Sequence, residues 1–452
     1  MNIPVRPLKL DPKYAPAVLF FREFKANALK EGYDNLSVVV ERNDGNSECF
    51  DTIIFKDEKH FDENLFYVER LVKSLLWIYG GYKVTIVGNK KIYEALKEIY
   101  ANKERTFDAK FMTRVYEQPF EVLHATAKPE IKQNYQSIGK NLDGYRIGFD
   151  AGGSDMKVSA VVNGEPIFSE EIVWFPKLNS DPEYHKKYIR EAIMLAKSKM
   201  PRLDAIGVSS AGVYVNNQAK VASLFIQVPD EAFDKHIKNI YIDIANELNV
   251  PIEVANDGDV TALAGAMSLE KNNLLGIAMG TSEAAGYINH EGNITGWINE
   301  LAFVPVDFQA NGPVDEWSGD FGCGLKYFSQ DAVIRLAETC GITFPHDMPL
   351  AERLKVVQKL GPESEVYQDI FQTIGTYLGY TLAYYSEFYE IENVLLLGRV
   401  TSGEGGNIIV DYAKKTLKEN FADLGEKIEI SLPDEKARRV GQSVAAASLV
   451  KL

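Results

Sequence analysis

Three cysteines, at positions 49, 323 and 340, stand in a chain of 452 residues. So sparse and odd a set makes no disulfide framework. It contains no Cys-X-X-Cys pair, so neither a cysteine zinc ribbon nor an iron–sulfur centre is expected. Six histidines, at 60, 124, 185, 236, 290 and 346, are scattered without an HxxxH spacing and give no histidine metal motif. Basic residues are in deficit, 49 Lys and Arg against 64 Asp and Glu, for a net charge of −15. Nucleic acids and anionic membranes need a basic footprint, so neither is an expected partner. No apolar run approaches the roughly 20 residues that span a bilayer. The opening MNIPVRPLKLDPKYAP has no basic patch followed by an apolar core, as a signal peptide would. With reduced-type cysteine usage, this points to a cytoplasmic protein.

What is present is the balance of a soluble globular chain, 46% hydrophobic and 25% charged. The length suggests two to three domains. Residues 1–140 read as an α/β unit. LSVVVERNDGNSECFDTIIF holds two β-rich runs around Asn43-Asp44-Gly45-Asn46, a hairpin signal. ENLFYVERLVKSLLWIYGG predicts a helix stopped by a glycine pair. YKVTIVG predicts a strand and KKIYEALKEIYANK a second helix. AKPEIKQNYQSIGKNLDG reads as a linker. No helix-turn-helix signature is present, and oligomerisation or packing is the plain role for this unit.

After the linker, YRIGFDAGG, MKVSAVV and PIFSEEIVW predict three strands in quick succession. A helix (PEYHKKYIREAIMLAKSK), a strand (AIGVSSAG), a helix (EAFDKHIKNIYIDIANELN) and a strand (PIEVAND) follow. The order then restarts, with LLGIAMG, AAGYINH and NITGWI as a second strand set. A helical stretch over about 326–390, the strand NVLLLG and a last helix, RRVGQSVAAASLVKL, complete the chain. The repeated order predicts two similar halves, each with a five-stranded sheet.

Three motifs carry chemistry. Asp150-Ala151-Gly152-Gly153-Ser154-Asp155 fills the turn after the first strand. Glycines there let backbone N–H groups approach phosphate, and Ser154 adds a hydroxyl. Asp150 suits Mg²⁺, which takes carboxylate and phosphate oxygens. Taken alone, a tight hairpin explains the same residues. Met279-Gly280-Thr281-Ser282-Glu283-Ala284-Ala285-Gly286 fills the corresponding turn of the second half, so the pair suggests two loops for one ATP phosphate chain. Glu283 is a misfit near phosphate and is expected to point outward. Ala255-Asn256-Asp257-Gly258-Asp259 ends a strand and opens a helix. Either aspartate suits a helix cap. Asp257 also suits a general base that takes a proton from a sugar hydroxyl attacking the γ-phosphorus, with Asp259 left to cap. Lys157 is within reach of phosphate, although a solvent-facing strand lysine is the plainer reading. Trp297, Trp317, Phe321 and Tyr327 suit either core or sugar stacking.

Together these motifs make residues 145–452 resemble the ROK family (repressor, open reading frame, kinase) of the hexokinase, Hsp70 and actin superfamily. The resemblance implies an α/β, two-lobed actin-like ATPase fold of ribonuclease H-like lobes behind an additional N-terminal α/β domain. Residues 145–256 would form the first lobe and 257–437 the second, with a final helix, 438–452, returning to the first. It implies an ATP-dependent sugar kinase using Mg²⁺, with Asp257 as base and Asn256 on a sugar hydroxyl. SSAGVYVNN resembles the segment lining the sugar pocket, which places Ala211 and Gly212 there. Gly280, Thr281 and Ser282 resemble the second phosphate loop. NVLLLGRVTSGEGG resembles the adenosine segment, with Gly398 beside base or ribose. In INELAFVPVD, Asn299-Glu300 stands for the family's Gly-Glu, so Glu300 would grip sugar hydroxyls.

The departures carry expectations of their own. Phe303 stands where a sugar- or zinc-contacting His is common. Of the zinc cysteines only Cys323 stands nearby, and the second pocket glutamate falls near Leu325. No structural zinc is therefore expected, and the sugar pocket should be more apolar than in a glucose kinase. Asp155 stands where Lys or Asn is frequent. The winged helix of family repressors has no counterpart in residues 1–140. The other function class is a non-catalytic sensor or scaffold that binds sugar or nucleotide. A small-molecule sugar is the expected partner, and self-association is left open.

Overall fold

A computed structural model describes residues 3–102, 104–133, 138–433 and 441–452. The chain forms two compact units. One comprises Met1–Asn134, Ile277–Ala285 and Trp297–Leu432, and the other Tyr135–Gly276, Gly286–Gly296 and Pro433–Leu452. Part of the predicted linker, 134–137, and the start of the predicted last helix, 438–440, lie outside the described residues.

In the first unit, β1 (Tyr33–Glu41) and β2 (Ser47–Phe55) pair antiparallel around the expected turn. Asp44 and Gly45 both take positive φ there, the conformation that Asp-Gly turns supply. β3 (Lys83–Val87) and β4 (Glu121–Ala125) complete a sheet of order β2-β1-β3-β4. The predicted helix forms over Phe61–Tyr79 and ends at Gly80, φ 81°. From Tyr67 to its end every residue is buried, because residues 1–134 and 297–432 pack together. Trp77 stacks on Phe303 with ring centroids 4.3 Å apart, Ser74 bonds Tyr384 at 2.8 Å, and Tyr14 lies 4.6 Å from Tyr377.

The second unit holds β5 (Tyr145–Ala151), β6 (Asp155–Val162), β7 (Glu165–Val173), β8 (Ala205–Ser210), the small hairpin β9 (Val213–Val215) and β10 (Gln218–Val221), and β11 (Ile252–Asn256). The sheet order is β11-β8-β5-β6-β7. The β5–β6–β7 meander is antiparallel, while β8 and β11 run parallel to β5. This is a ribonuclease H-like sheet. A Cβ on Gly148 or Gly207 would run into the carbonyls of Ser443 or Ala446, so the helix Gln442–Ala447 lies directly on β5 and β8. The stretch predicted as one helix over 231–249 is interrupted, with a π-turn at Phe233–Ile237 before the helix Ile240–Leu248.

β12 (Leu274–Met279), β13 (Glu283–Ile288), β14 (Asn393–Leu397) and β15 (Glu429–Ser431) form a sheet of order β13-β12-β14-β15. It has four strands among the described residues, not five. NITGWI is not a strand. Ile294 makes only isolated bridges, to Ile138 and Ile288. Gly296 then takes φ 72° and breaks the extended run. The residues beyond are drawn elsewhere: Asn299 and Glu300 donate their N–H groups to the carbonyls of Ile78 and Trp77.

Candidate functional site

Three parallel strands of the second unit end side by side. Ala151 of β5 faces Ser210 of β8, and Ser210 faces Asn256 of β11. Carboxyl ends of parallel strands are where open α/β sheets bind ligands. The geometry brings Asp150, Ser209, Asn256 and Asp257 together. Ser209 donates its hydroxyl to Asp150 Oδ1 at 2.7 Å. Gln442 bridges from the last helix, donating to Ser209 Oγ at 2.9 Å and to the Asp257 carbonyl at 3.1 Å. Beneath, Ser210 Oγ lies 2.6 Å from the Tyr214 hydroxyl and 3.0 Å from that of Tyr241.

Both carboxyls are perturbed. Burial pushes Asp150 up to about 6, with Asp257 and Asp155 adding to the rise against the Ser209 hydroxyl and Lys157. Burial also raises Asp257, opposed by the Gly258 N–H and by the positive charge of Lys177. Asp257 Oδ1 accepts that N–H at 3.1 Å. The cap of the helix Asp257–Leu269 is Asn256, whose Oδ1 accepts the Gly258 N–H at 2.7 Å. Its amide nitrogen donates to the Gly212 carbonyl at 2.8 Å. The expected capping by Asp259 is thus corrected. Asp259 is buried, and its Oδ1 accepts the Tyr287 N–H at 3.3 Å. Asn256 lies one residue ahead of the helix, in the better place to cap.

The first glycine loop is pinned from below. Trp174, fully buried, donates its indole N–H to the Gly152 carbonyl at 2.8 Å. Ser154 donates to Asp155 Oδ2 at 3.0 Å. A Cβ on Gly153 would lie 3.4 Å from Lys177 Nζ, so the ammonium sits against the loop. The sequence alone does not single out Lys177, Ser209 or Gln442. Ser209 lay in the quoted SSAG run, and Pro176-Lys177 follows β7 in the short turn Pro176–Leu178. Gln442 gives no sequence signal. Gly212 takes φ 131°, with its Cα against the backbone of Val221 and Ala222, and Ala211 beside it is half-buried.

The remaining candidates lie in the other unit. Gly280 donates its N–H to the Ser282 carbonyl at 3.0 Å and accepts from the Gln330 N–H at 2.9 Å, closing a tight turn around Thr281. Gly398, φ 96°, leaves no room for a Cβ against Met279, so β14 ends hard on that turn. Glu300 follows Asn299, which takes φ 49°, a left-handed conformation that Asn tolerates where glycine is usual. Tyr389 donates to Asn299 Oδ1 at 2.9 Å. Glu283 does not point outward. It is 3% exposed, and neither carboxyl oxygen has a hydrogen-bond partner among the described residues. Burial, reinforced by Glu300, pushes it up to about 8. As the first residue of β13 it takes an inward position. Phe303 packs on Trp77 and Phe107, and burial pushes the Cys323 thiol up to about 12. The four aromatics separate: Tyr327 is fully buried, Trp297 packs on Tyr79 and Tyr389, Phe321 is half-buried beside Arg70, and Trp317 is exposed.

The sequence profile of the ROK family matches residues 146–444. No functionally curated protein matches the chain. Among solved structures, the chain is similar to the ROK hexokinase of Thermus thermophilus, at 16% identity and a TM-score of 0.52, over 67% of this chain and 97% of that one. It is also similar to a ROK family transcriptional regulator, a homologue of the E. coli MLC protein, at 16% identity and a TM-score of 0.51, over 68% of this chain and 79% of that one. At such identity the likeness shows the fold.

Proposed function

The chain belongs to the ROK family, and from that premise we propose that it transfers the γ-phosphoryl group of ATP to a hydroxyl of a sugar or sugar-like substrate. The observation that carries the proposal is the alignment of Asp150, Ser209 and Asn256-Asp257 at adjacent ends of β5, β8 and β11. Phosphoryl transfer needs positioning, charge stabilisation and a base for the attacking hydroxyl. Asp257 is assigned as that base. Its raised affinity for a proton, caused by burial, suits a carboxyl that accepts one at neutral pH. Asn256, Ala211, Gly212 and Glu300 are assigned to the sugar. Gly152, Gly153 and Ser154, together with Lys177, are assigned to phosphate. Gly280, Thr281, Ser282 and Gly398 are assigned to the nucleotide.

Magnesium fits the residues present. Burial and the neighbouring Asp257 raise the cost of ionising Asp150, and a divalent cation relieves that cost. Asp150 would hold it, supplying charge neutralisation for the phosphates. Zinc is not part of the proposal, because Phe303 and Cys323 sit in packed surroundings.

The test is an ADP-release screen of the full chain with MgATP over hexoses, N-acetylhexosamines, pentoses and polyols. Turnover with at least one sugar, dependent on magnesium, is expected. Nucleotide binding without turnover on any of them would replace the kinase reading with the sensor reading.

A further inference from the structure

The first unit contains a cavity of about 440 Å³ that no part of the proposed chemistry uses. Its size lies within the roughly 300–1,000 Å³ usual for small-molecule sites. One wall is a face of the helix Phe61–Tyr79, through Asp62, Leu65, Phe66, Glu69 and Arg70, the i, i+3, i+4, i+7, i+8 pattern of one helical side. Ile99, Glu104 and Arg105 form a second wall, and Gly319–Phe321 a third.

The floor is an ionic mesh. Arg70 gives Nε to Glu69 at 2.6 Å, Nη2 to Glu69 at 3.2 Å and Nη1 to Asp320 at 3.0 Å. Arg105 bonds the same two carboxylates, Glu69 through Nε and Asp320 through Nη2 at 3.3 Å. All four side chains are more than nine-tenths buried. A guanidinium carries five N–H groups and a carboxylate about four lone-pair sites. Three of Arg70's five are used among the described residues. Glu69 takes three bonds and keeps one acceptor site, while Asp320 is also met by Lys73 at 2.7 Å, so the mesh sets spare Arg70 donors beside a spare acceptor on Glu69. Phe66 and Phe321 flank it, their ring centroids 5.9 and 5.4 Å from the Arg70 guanidinium carbon.

We propose that this cavity is a second binding site, for an uncharged polyhydroxylated molecule, a sugar or a polyol. Hydroxyls both donate and accept, so they match a floor that offers both. With Lys73, 2.7 Å from Asp320 and 3.8 Å from Asp108, the cluster holds three cations and three carboxyl groups, and the exposed Asp62 and Glu104 add negative charge at the mouth. That balance repels phosphates and nucleotides. An apolar ligand would leave the floor's polar groups unpaired at a cost. Phe66, Phe321, Leu65 and Ile99 supply apolar walls for the C–H faces of a ring. The site is independent of turnover, since Asp150 and Asp257 belong to the other unit.

Hydrogen–deuterium exchange on the full chain without nucleotide tests this. The probes are glucose, N-acetylglucosamine, myo-inositol and glycerol, with glucose 6-phosphate as the charged control. At least one neutral probe should slow exchange in peptides covering 61–70 and 315–323, and glucose 6-phosphate should not. Leu65→Trp, which fills the cavity from its wall, should weaken that protection at least tenfold without altering exchange around Asp257. Ile99→Phe fills it from the opposite wall and serves if Leu65→Trp does not fold. The proposal is overturned if no neutral probe protects these peptides, if glucose 6-phosphate protects them equally, or if a folded filling variant leaves protection unchanged. Absence of kinase activity would not affect any of these readings.

Discussion

Two clusters of buried carboxylates, one in each unit, are handled differently. In the first unit, Glu69 and Asp320 mesh with Arg70 and Arg105, and Lys73 Nζ stands 2.7 Å from Asp320. Burial still raises Glu69 against the pull of Arg70, but Asp320, which burial also pushes up, is held below the usual carboxylate range by Arg70 and Lys73. In the second unit, Asp150 rests on a serine hydroxyl and Asp257 on a backbone N–H, and both are raised. Neutral hydrogen bonds satisfy geometry but do not cancel charge. The first arrangement ties residues 1–134 to the segment around 320. The second leaves two carboxyls prepared for a proton or a cation, as at sites that do chemistry.

Breaking the compensated mesh should have the largest effect on stability. Arg70→Met leaves Glu69 and Asp320 short of a partner in a buried place, at a cost of about 3–5 kcal/mol. Urea unfolding monitored by tryptophan fluorescence measures it. A loss below about 1 kcal/mol would mean that the mesh is not holding the unit together.

Glu283 sharpens the comparison, because it is an uncompensated carboxyl inside the first unit. Its folded-state value of about 8 lies above the ordinary 4.5, so the folded state keeps a proton that the unfolded chain releases. Its contribution is full below pH 4.5 and is lost as pH rises toward 8. Glu283→Gln should therefore stabilise the protein increasingly through that window, by about 2–4 kcal/mol near pH 8. Thermal midpoints across pH 5–8 should diverge between the two proteins. Parallel curves would contradict the buried, unpartnered state.

The smallest effect is expected at Lys177. Its ammonium lies against Gly153 and opposes the rise of Asp257. Lys177→Met should remove one charge-assisted contact, about 1.5–3 kcal/mol of transition-state binding, roughly 10- to 150-fold in kcat/KM. Unchanged kinetics would leave Lys177 outside the phosphate site.

Much of this was legible in the sequence for local reasons. The β5–β6–β7 meander and the Asn43–Asn46 hairpin follow from short β-rich runs and turn residues. The glycine loop at 152–153 and Asn256-Asp257 stand out in combination, since a tight hairpin or a helix cap explains each one taken alone. What was not legible depended on distant packing. Gln442 reaches the site only because Gly148 and Gly207 let its helix lie on the sheet. NITGWI has the composition of a strand, yet carbonyls of the helix Phe61–Tyr79 claim the backbone that follows it. Glu283 looked solvent-facing because a carboxylate near phosphate is costly, and only its inward place on β13 shows otherwise. Asp259 has the residue type of a cap, whereas Asn256 has the geometry.

The contrast between the two kinds of cluster rests on Asp257 being a working base. The direct measurement is turnover of Asp257→Asn beside its nucleotide and sugar affinities, on whichever sugar the wild type phosphorylates. An amide keeps the size and the bond to the Gly258 N–H but cannot take the hydroxyl proton. Binding should stay within a few-fold, while kcat falls about 10²–10⁴-fold. Full activity in the folded variant would contradict the account.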